Sequence, residues 1–208
     1  MTKKDKAQLI AKILNQLYPD PAIPLIHFDA FTLLCAVVLS AQCTDKKVNE
    51  VTPKLFLLAP SPTEMASLPY ETIQSLIQPL GLAPTKAKAL KNLSKKILEE
   101  FDGKVPNSLE SLKTLPGVGH KTASVVMIQA FQTPAFPVDT HIHRCAKRWG
   151  LSDGSSVEKT EKDLKRIFPK NSWAKLHLQI IYFAREYCSA KKHNPSSCPI
   201  CHALGAKT

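Results

Sequence analysis

Glycine is scarce in this chain, with seven in 208 residues, and long apolar runs are missing altogether. The longest apolar stretch, LLCAVVL at 33–39, is far too short to cross a bilayer. The opening residues, MTKKDKAQLI, are charged and then amphipathic, without the apolar segment or cleavage site of a secretory signal. No membrane partner is therefore expected, and the expected location is the cytoplasm, on the nucleoid if the source is bacterial. In a reducing compartment the six cysteines do not imply a disulfide framework. Convincing strand-like alternation, a fixed-period repeat and low-complexity segments are also missing, which leaves sheet and solenoid classes unsupported. A hydrophobic content of 44% excludes wholesale disorder.

What is present is helical periodicity and positive charge. Lys and Arg number 28 against 17 Asp and Glu, a formal charge of +11. That balance favours a polyanionic partner, nucleic acid first, although a basic enzyme with a solvated surface fits it too. Residues 6–18 carry Leu9, Ile10, Ile13, Leu14 and Leu17 at helical spacing, and residues 29–42 are apolar enough for a central buried helix. Further helices are expected near 46–58, 62–67, 70–78, 84–100, 107–113, 121–131, 140–149, 156–167 and 171–187. Ser61 and Asn107 stand at expected helix starts, Asn107 with Glu110 three residues later in a capping-box pattern. Two proline-rich links, PDPAIP at 19–24 and TPAFPV at 133–138, read as boundaries or crossovers. Cys35, Cys43 and Cys145 lie in apolar or helical contexts and read as core filler.

Against this scarcity, LPGVGHKTA at 115–123 places Gly117 and Gly119 beside Pro116. Glycines in such a turn permit positive φ and leave backbone N–H groups uncovered. The next helix is expected to begin near His120 or Lys121, so its first N–H groups face the turn and make an anion site that fits a DNA phosphate. A plain helical connection is the alternative. A nucleotide phosphate loop is excluded, because that pattern sets glycine directly before lysine and here His120 intervenes. Lys121 falls in a first helical turn, where the macrodipole disfavours a cation. It reads either as a phosphate-pairing or solvated lysine, or as a nucleophilic amine whose proton is readily shed. Downstream, in PVDTHIHR at 137–144, Asp139 reads as a helix cap or as a carboxylate that stabilises cationic charge on a sugar.

Together SAQCTD at 40–45, LPGVGHKTA at 115–123 and VDTH at 138–141 resemble, in order, the signatures of the endonuclease III family of DNA base-excision glycosylases. The resemblance runs from about residue 25 to Cys188. It implies an all-α fold in two helical lobes, with a DNA-binding cleft between them and a helix-hairpin-helix motif. Residues 23–133 would form a helical barrel lobe containing the hairpin. Residues 1–22 and 134–208 would form a discontinuous second lobe with a C-terminal cysteine-containing loop. Family members remove oxidised pyrimidines such as thymine glycol from duplex DNA and then nick the abasic site. By position, Lys121 is similar to the Schiff-base lysine and Asp139 to the catalytic aspartate. Gln42 matches the residue that fills the hole left by the flipped nucleotide, and Leu82 the apolar wedge opposite. His141 matches a backbone-contacting position, and the DNA contacts expected with it are Gly117, Gly119 and His120. The partner implied is double-stranded DNA bearing damaged bases or abasic sites, bound by a monomer. No cofactor is needed for the chemistry.

At the C-terminus the sequence departs from the family, which ends in C-x6-C-x2-C-x5-C around an iron–sulfur cluster. Here Cys188, Cys198 and Cys201 give C-x9-C-x2-C, and Lys207 stands where the fourth cysteine would fall. A normal four-thiolate cluster does not fit that pattern. The cluster is lost, or three cysteines recruit His193 or His202 to hold a cluster or zinc, or the C-terminus is misread or truncated. Two rival functions also stay open: a glycosylase for a mismatch or oxidised purine, and a non-catalytic helix-hairpin-helix DNA-binding module.

Overall fold

The computed structural model describes residues 1–205, so Lys207 lies outside the described residues. Among these the chain is helical, without strands. In order come α1 (Lys3–Leu17), α2 (Ala30–Leu39), α3 (Asp45–Leu58), α4 (Pro62–Ser67), α5 (Tyr70–Ile77) and α6 (Ala83–Glu100). Then follow α7 (Leu109–Lys113), α8 (His120–Ala130), α9 (Thr140–Arg148), α10 (Val157–Ile167), α11 (Trp173–Glu186) and α12 (Pro199–Ala203). None of the helices is long and apolar enough to cross a membrane. The chain divides into two compact units, Ile23–Thr133 and a discontinuous one made of Met1–Ala22 with Pro134–Thr208. The divisions fall within PDPAIP and just after the first residue of TPAFPV.

The continuous unit is built around α2, in which every residue from Phe31 to Leu39 is buried. Full burial of a leucine or valine side chain is worth about 1.5–3 kcal/mol, so this helix anchors the unit. Asp29 starts it: its Oδ1 accepts from the Thr32 amide at 2.8 Å, and the Thr32 hydroxyl accepts from the Asp29 amide at 3.0 Å. Helices α3, α6 and α8 pack on α2, while α4 and α5 pack on α6. The helix expected over 29–42 stops at Leu39. Ser40 donates its hydroxyl to the Val37 carbonyl, and Gln42 turns into left-handed backbone (φ 56), so the last three residues are a turn.

Two helix starts test the capping argument. Ser61 caps α4 as its sequence position implies, accepting from the Thr63 amide at 3.2 Å. Asn107 does not start a helix. Ser108 caps α7 instead, accepting from the Ser111 amide at 3.1 Å while its hydroxyl donates to Ser111 Oγ at 2.9 Å. Asn107 and Ser108 are both good capping residues, and the one nearer the apolar run wins.

In the discontinuous unit α1 packs against α10, α11 and α12, and α9 packs against α10 and α11. Its core joins Ile10 and Leu14 of α1 to Ile142 and Trp149 and to Phe183 of α11. Cys145, Cys188, Cys198 and Cys201 belong to the same cluster, so the C-terminal loop is part of the core.

Candidate nucleic-acid interface and metal centre

The hairpin between α7 and α8 alternates anchors with open backbone. Leu115 and Val118 are buried, whereas Gly117, Gly119, His120 and Lys121 are exposed. The two glycines serve different ends. Gly117 has φ +78, and a Cβ there would come within 2.9 Å of the Ala89 Cβ on α6. Glycine is thus required by conformation and by close packing. Gly119 is extended (φ -88, ψ 178), so the positive φ anticipated for both glycines holds at one of them. A Cβ at Gly119 would meet no atom within 4 Å. What this glycine supplies is room: it caps α8 with no side-chain hydrogen bond, and the first-turn N–H groups beyond it lack intrahelical acceptors. Lys121, second residue of α8, is displayed from that first turn.

Gln42 and Leu82 lie in the same unit. Both are exposed, Leu82 by 55%, and both hold left-handed backbone at φ 56 and φ 51. For a bulky residue such as leucine that conformation is strained by about 1–3 kcal/mol and persists only where its surroundings enforce it. Lys86 supplies part of that enforcement and was not singled out by its sequence. It is only 5% exposed, and its Nζ donates to Cys43 Sγ at 3.1 Å and to the Leu80 carbonyl at 3.4 Å. The Cys43 thiol also donates to the Leu80 carbonyl. Cys43 is therefore not core filler: it ties the residue after Gln42 to the segment before Leu82. A lysine on an amphipathic helix reads as a solvated face, so only the PLGLAPTKA context could have pointed to it.

In the other unit Asp139 caps α9. Its Oδ1 accepts from the His141 and Ile142 amides, each at 2.9 Å. The cap reading of Asp139 is correct, and both capping bonds fall on one of two carboxylate oxygens. Arg144 Nη2 donates to His141 Nδ1 at 3.2 Å, which leaves the neutral ring's proton on Nε2.

The C-terminal residues converge. Ligand atoms of Cys188, His193, Cys198 and Cys201 all lie within 4.8 Å of one another, a group that could hold a metal ion. Between the two histidines that the spacing left open, the geometry selects His193; His202 is exposed on α12 and outside the group. Lys192 takes left-handed backbone (φ 58) just before His193. The cysteines are reduced, and the three in the group are buried. Hydrogen bonds from the Cys145 thiol first, then from Cys198 and Cys201, hold Cys188 far below the ordinary thiol range. Cys145 is pushed up by the same bond and by burial, so it is a donor to Cys188 and more than core filler. Two arginines of α9, also missed from sequence, brace this residue. Arg144 Nε and Nη2 donate to the Cys188 carbonyl at 3.1 and 3.0 Å. Arg148 Nη1 donates to the Ser189 carbonyl at 2.6 Å and to Cys188 Sγ at 3.4 Å.

Among the described residues the chain is all helical, and α8 follows the hairpin with Gly119 as its cap. Residues 35–170 match the family model for HhH-GPD superfamily base excision DNA repair proteins. An endonuclease III of Synechocystis sp. is 41% identical over 202 residues, 97% of this chain and 92% of that protein. A structure of a non-covalent Endonuclease III-DNA complex and one of a trapped Endonuclease III-DNA covalent intermediate each superpose with a TM-score of 0.92 at 39% identity. Each covers 97% of this chain and 95% of the matched chain. The chain belongs to the endonuclease III family within this base excision repair superfamily.

Proposed function

We propose that this DNA glycosylase and abasic-site lyase acts on oxidised pyrimidines of the thymine glycol type in duplex DNA. It works as a monomer, in the cytoplasm and on the nucleoid if bacterial. The observation that carries the reading is Lys121, exposed in the first turn of α8 directly behind the open Gly119. The uncapped N–H groups of that turn, with Gly117, Gly119 and His120, take the DNA backbone and read no base. A damaged nucleotide leaves the stack at a cost of a few kcal/mol, least for a base that stacks poorly. Gln42 fills the vacated position, Leu82 wedges the opposite side and His141 contacts the backbone.

Lys121 Nζ then attacks C1′ of the sugar. The N–C1′ bond to the base breaks, and the base leaves with the bonding pair and takes up a proton. The Asp139 carboxylate stabilises the cationic sugar as this bond opens. The nitrogen then loses a proton, and as its lone pair forms an iminium to C1′ the C1′–O4′ bond breaks and O4′ takes up a proton. That cation acidifies C2′; removal of a C2′ proton expels the 3′ phosphate, and water releases the lysine. No step passes through a metal, so a metal at the cysteine group is structural.

Borohydride reduces the iminium to a stable amine and so tests the proposal. Duplexes carrying thymine glycol or an abasic site are expected to trap wild-type protein and not Lys121→Ala. Trapping with the abasic site alone would move the search to other lesions. A trapped complex with Lys121→Ala would remove Lys121 from the role.

A further inference from the structure

We infer that Cys188, His193, Cys198 and Cys201 form a mononuclear tetrahedral zinc site in place of the family's iron–sulfur cluster. Three observations carry this. The first is the donor set. Three thiols and one imidazole suit zinc, whereas the family pattern calls for four thiolates and has Lys207 at the fourth position. The second is spacing. With Zn–S of about 2.3 Å and Zn–N of about 2.0 Å, a single ion holds its donors roughly 3.5–3.8 Å apart. Thiolates bound to different irons of a cluster stand farther apart, roughly 6 Å, because iron and sulfide lie between them. All donors here lie within 4.8 Å of one another, which a small inward adjustment converts to a zinc tetrahedron. A cluster would require the loop to open. The iron–sulfur group therefore does not fit these residues.

The third observation is an orphaned atom. His193 Nε2 is buried and has no hydrogen-bond partner. Leaving a buried polar nitrogen without a partner is costly, and a metal bond satisfies it. The nine residues between Cys188 and Cys198 carry His193, so the longer spacing supplies the ligand that position 207 does not. Around the site the outer groups are already arranged. Arg148 donates to Cys188 Sγ at 3.4 Å, and Arg144 donates to the Cys188 carbonyl at 3.0 and 3.1 Å. Three thiolates and a divalent zinc carry one net negative charge, and the Arg148 guanidinium offsets it. The ion would tie the end of α11 to α12, both of which pack on α1.

The test is a metal count on full-length, tag-free protein purified without chelators, together with its visible spectrum after exchange to cobalt. The expected result is one zinc per chain, little iron, and ligand-field bands of tetrahedral cobalt with three sulfurs and one nitrogen. His193→Ala should weaken zinc binding by more than about tenfold, and Arg148→Leu by about tenfold, while His202→Ala leaves it unchanged. If His193→Ala does not fold, His193→Cys should retain zinc and shift the cobalt bands to those of four thiolates. Brown protein with iron and sulfide in equal amounts would overturn the inference. So would metal-free protein, or cobalt bands that ignore His193→Cys. The Lys121→Ala chain should carry the same zinc, so a failed trapping experiment and a failed metal assignment are separable.

Discussion

Helices α8 and α9 both begin just after a loop, and their first turns are closed in opposite ways. Gly119 caps α8 with no side chain at all, whereas Asp139 caps α9 through two 2.9 Å bonds on one oxygen. An open N-terminus keeps its N–H groups for an external anion; a closed one spends them on fixing its own carboxylate. Lys121 and Asp139, the two groups used by the proposed reaction, thus follow one structural device in two modes. In the proposed complex a phosphate takes the cap's place at α8 and the lysine follows it. At α9 the carboxylate is the cap, and helix geometry orients it.

The largest effect that breaks this comparison is removal of the amine. Lys121→Ala should abolish borohydride trapping, yet change stability by less than about 0.5 kcal/mol because the side chain is exposed. Binding to an uncleavable abasic-site analogue should persist. Asp139 comes next and separates cap from chemistry. Asparagine caps a helix about as well as aspartate, so Asp139→Asn should shift stability by under about 1 kcal/mol. Base release should nonetheless slow by between about 100- and 10,000-fold, because the charge that meets the cationic sugar is gone. Asp139→Ala should add a stability loss of about 1 kcal/mol to the same kinetic defect. Near-normal turnover in Asp139→Asn would reduce the residue to a cap.

The hairpin and the Asp139 cap were legible in the sequence, because both lie in local patterns whose spacing carries their geometry. Ile10 and Leu14 of the α1 stripe, the Ser61 cap and the start of α8 follow from periodicity and local chemistry, whereas Leu17 of the same stripe is exposed. Other features depend on residues distant in sequence. The left-handed backbone at Gln42 and Leu82 has no signature, since neither is a residue type that favours it. Lys86 is buried only because Cys43 and Leu80 come to meet it. Helix α12, Pro199–Ala203, is too short to show a period and was missed. His193 and His202 were equivalent by spacing, and only the folding of the loop brings one imidazole to the thiols. The Asn107 error has a local cause, two adjacent capping residues before one helix.

The smallest effects come from the two glycines, and they sharpen the comparison most. Gly117→Ala forces a side chain into positive φ and against Ala89, so it should cost on the order of 1–3 kcal/mol and lower the melting temperature. Gly119→Ser does the reverse. Its backbone is extended, its Cβ meets open space, and a serine hydroxyl would close α8 as Asp139 closes α9. Stability should hold or rise by a few tenths of a kcal/mol. DNA affinity should fall by the loss of one uncharged backbone contact to phosphate, while the slope of log K against log salt, which counts cationic contacts, should stay the same. Titrating both variants at several salt concentrations reads this directly. If Gly119→Ser binds duplex with unchanged affinity, the open end of α8 does not hold phosphate, and the basic surface elsewhere must supply that contact.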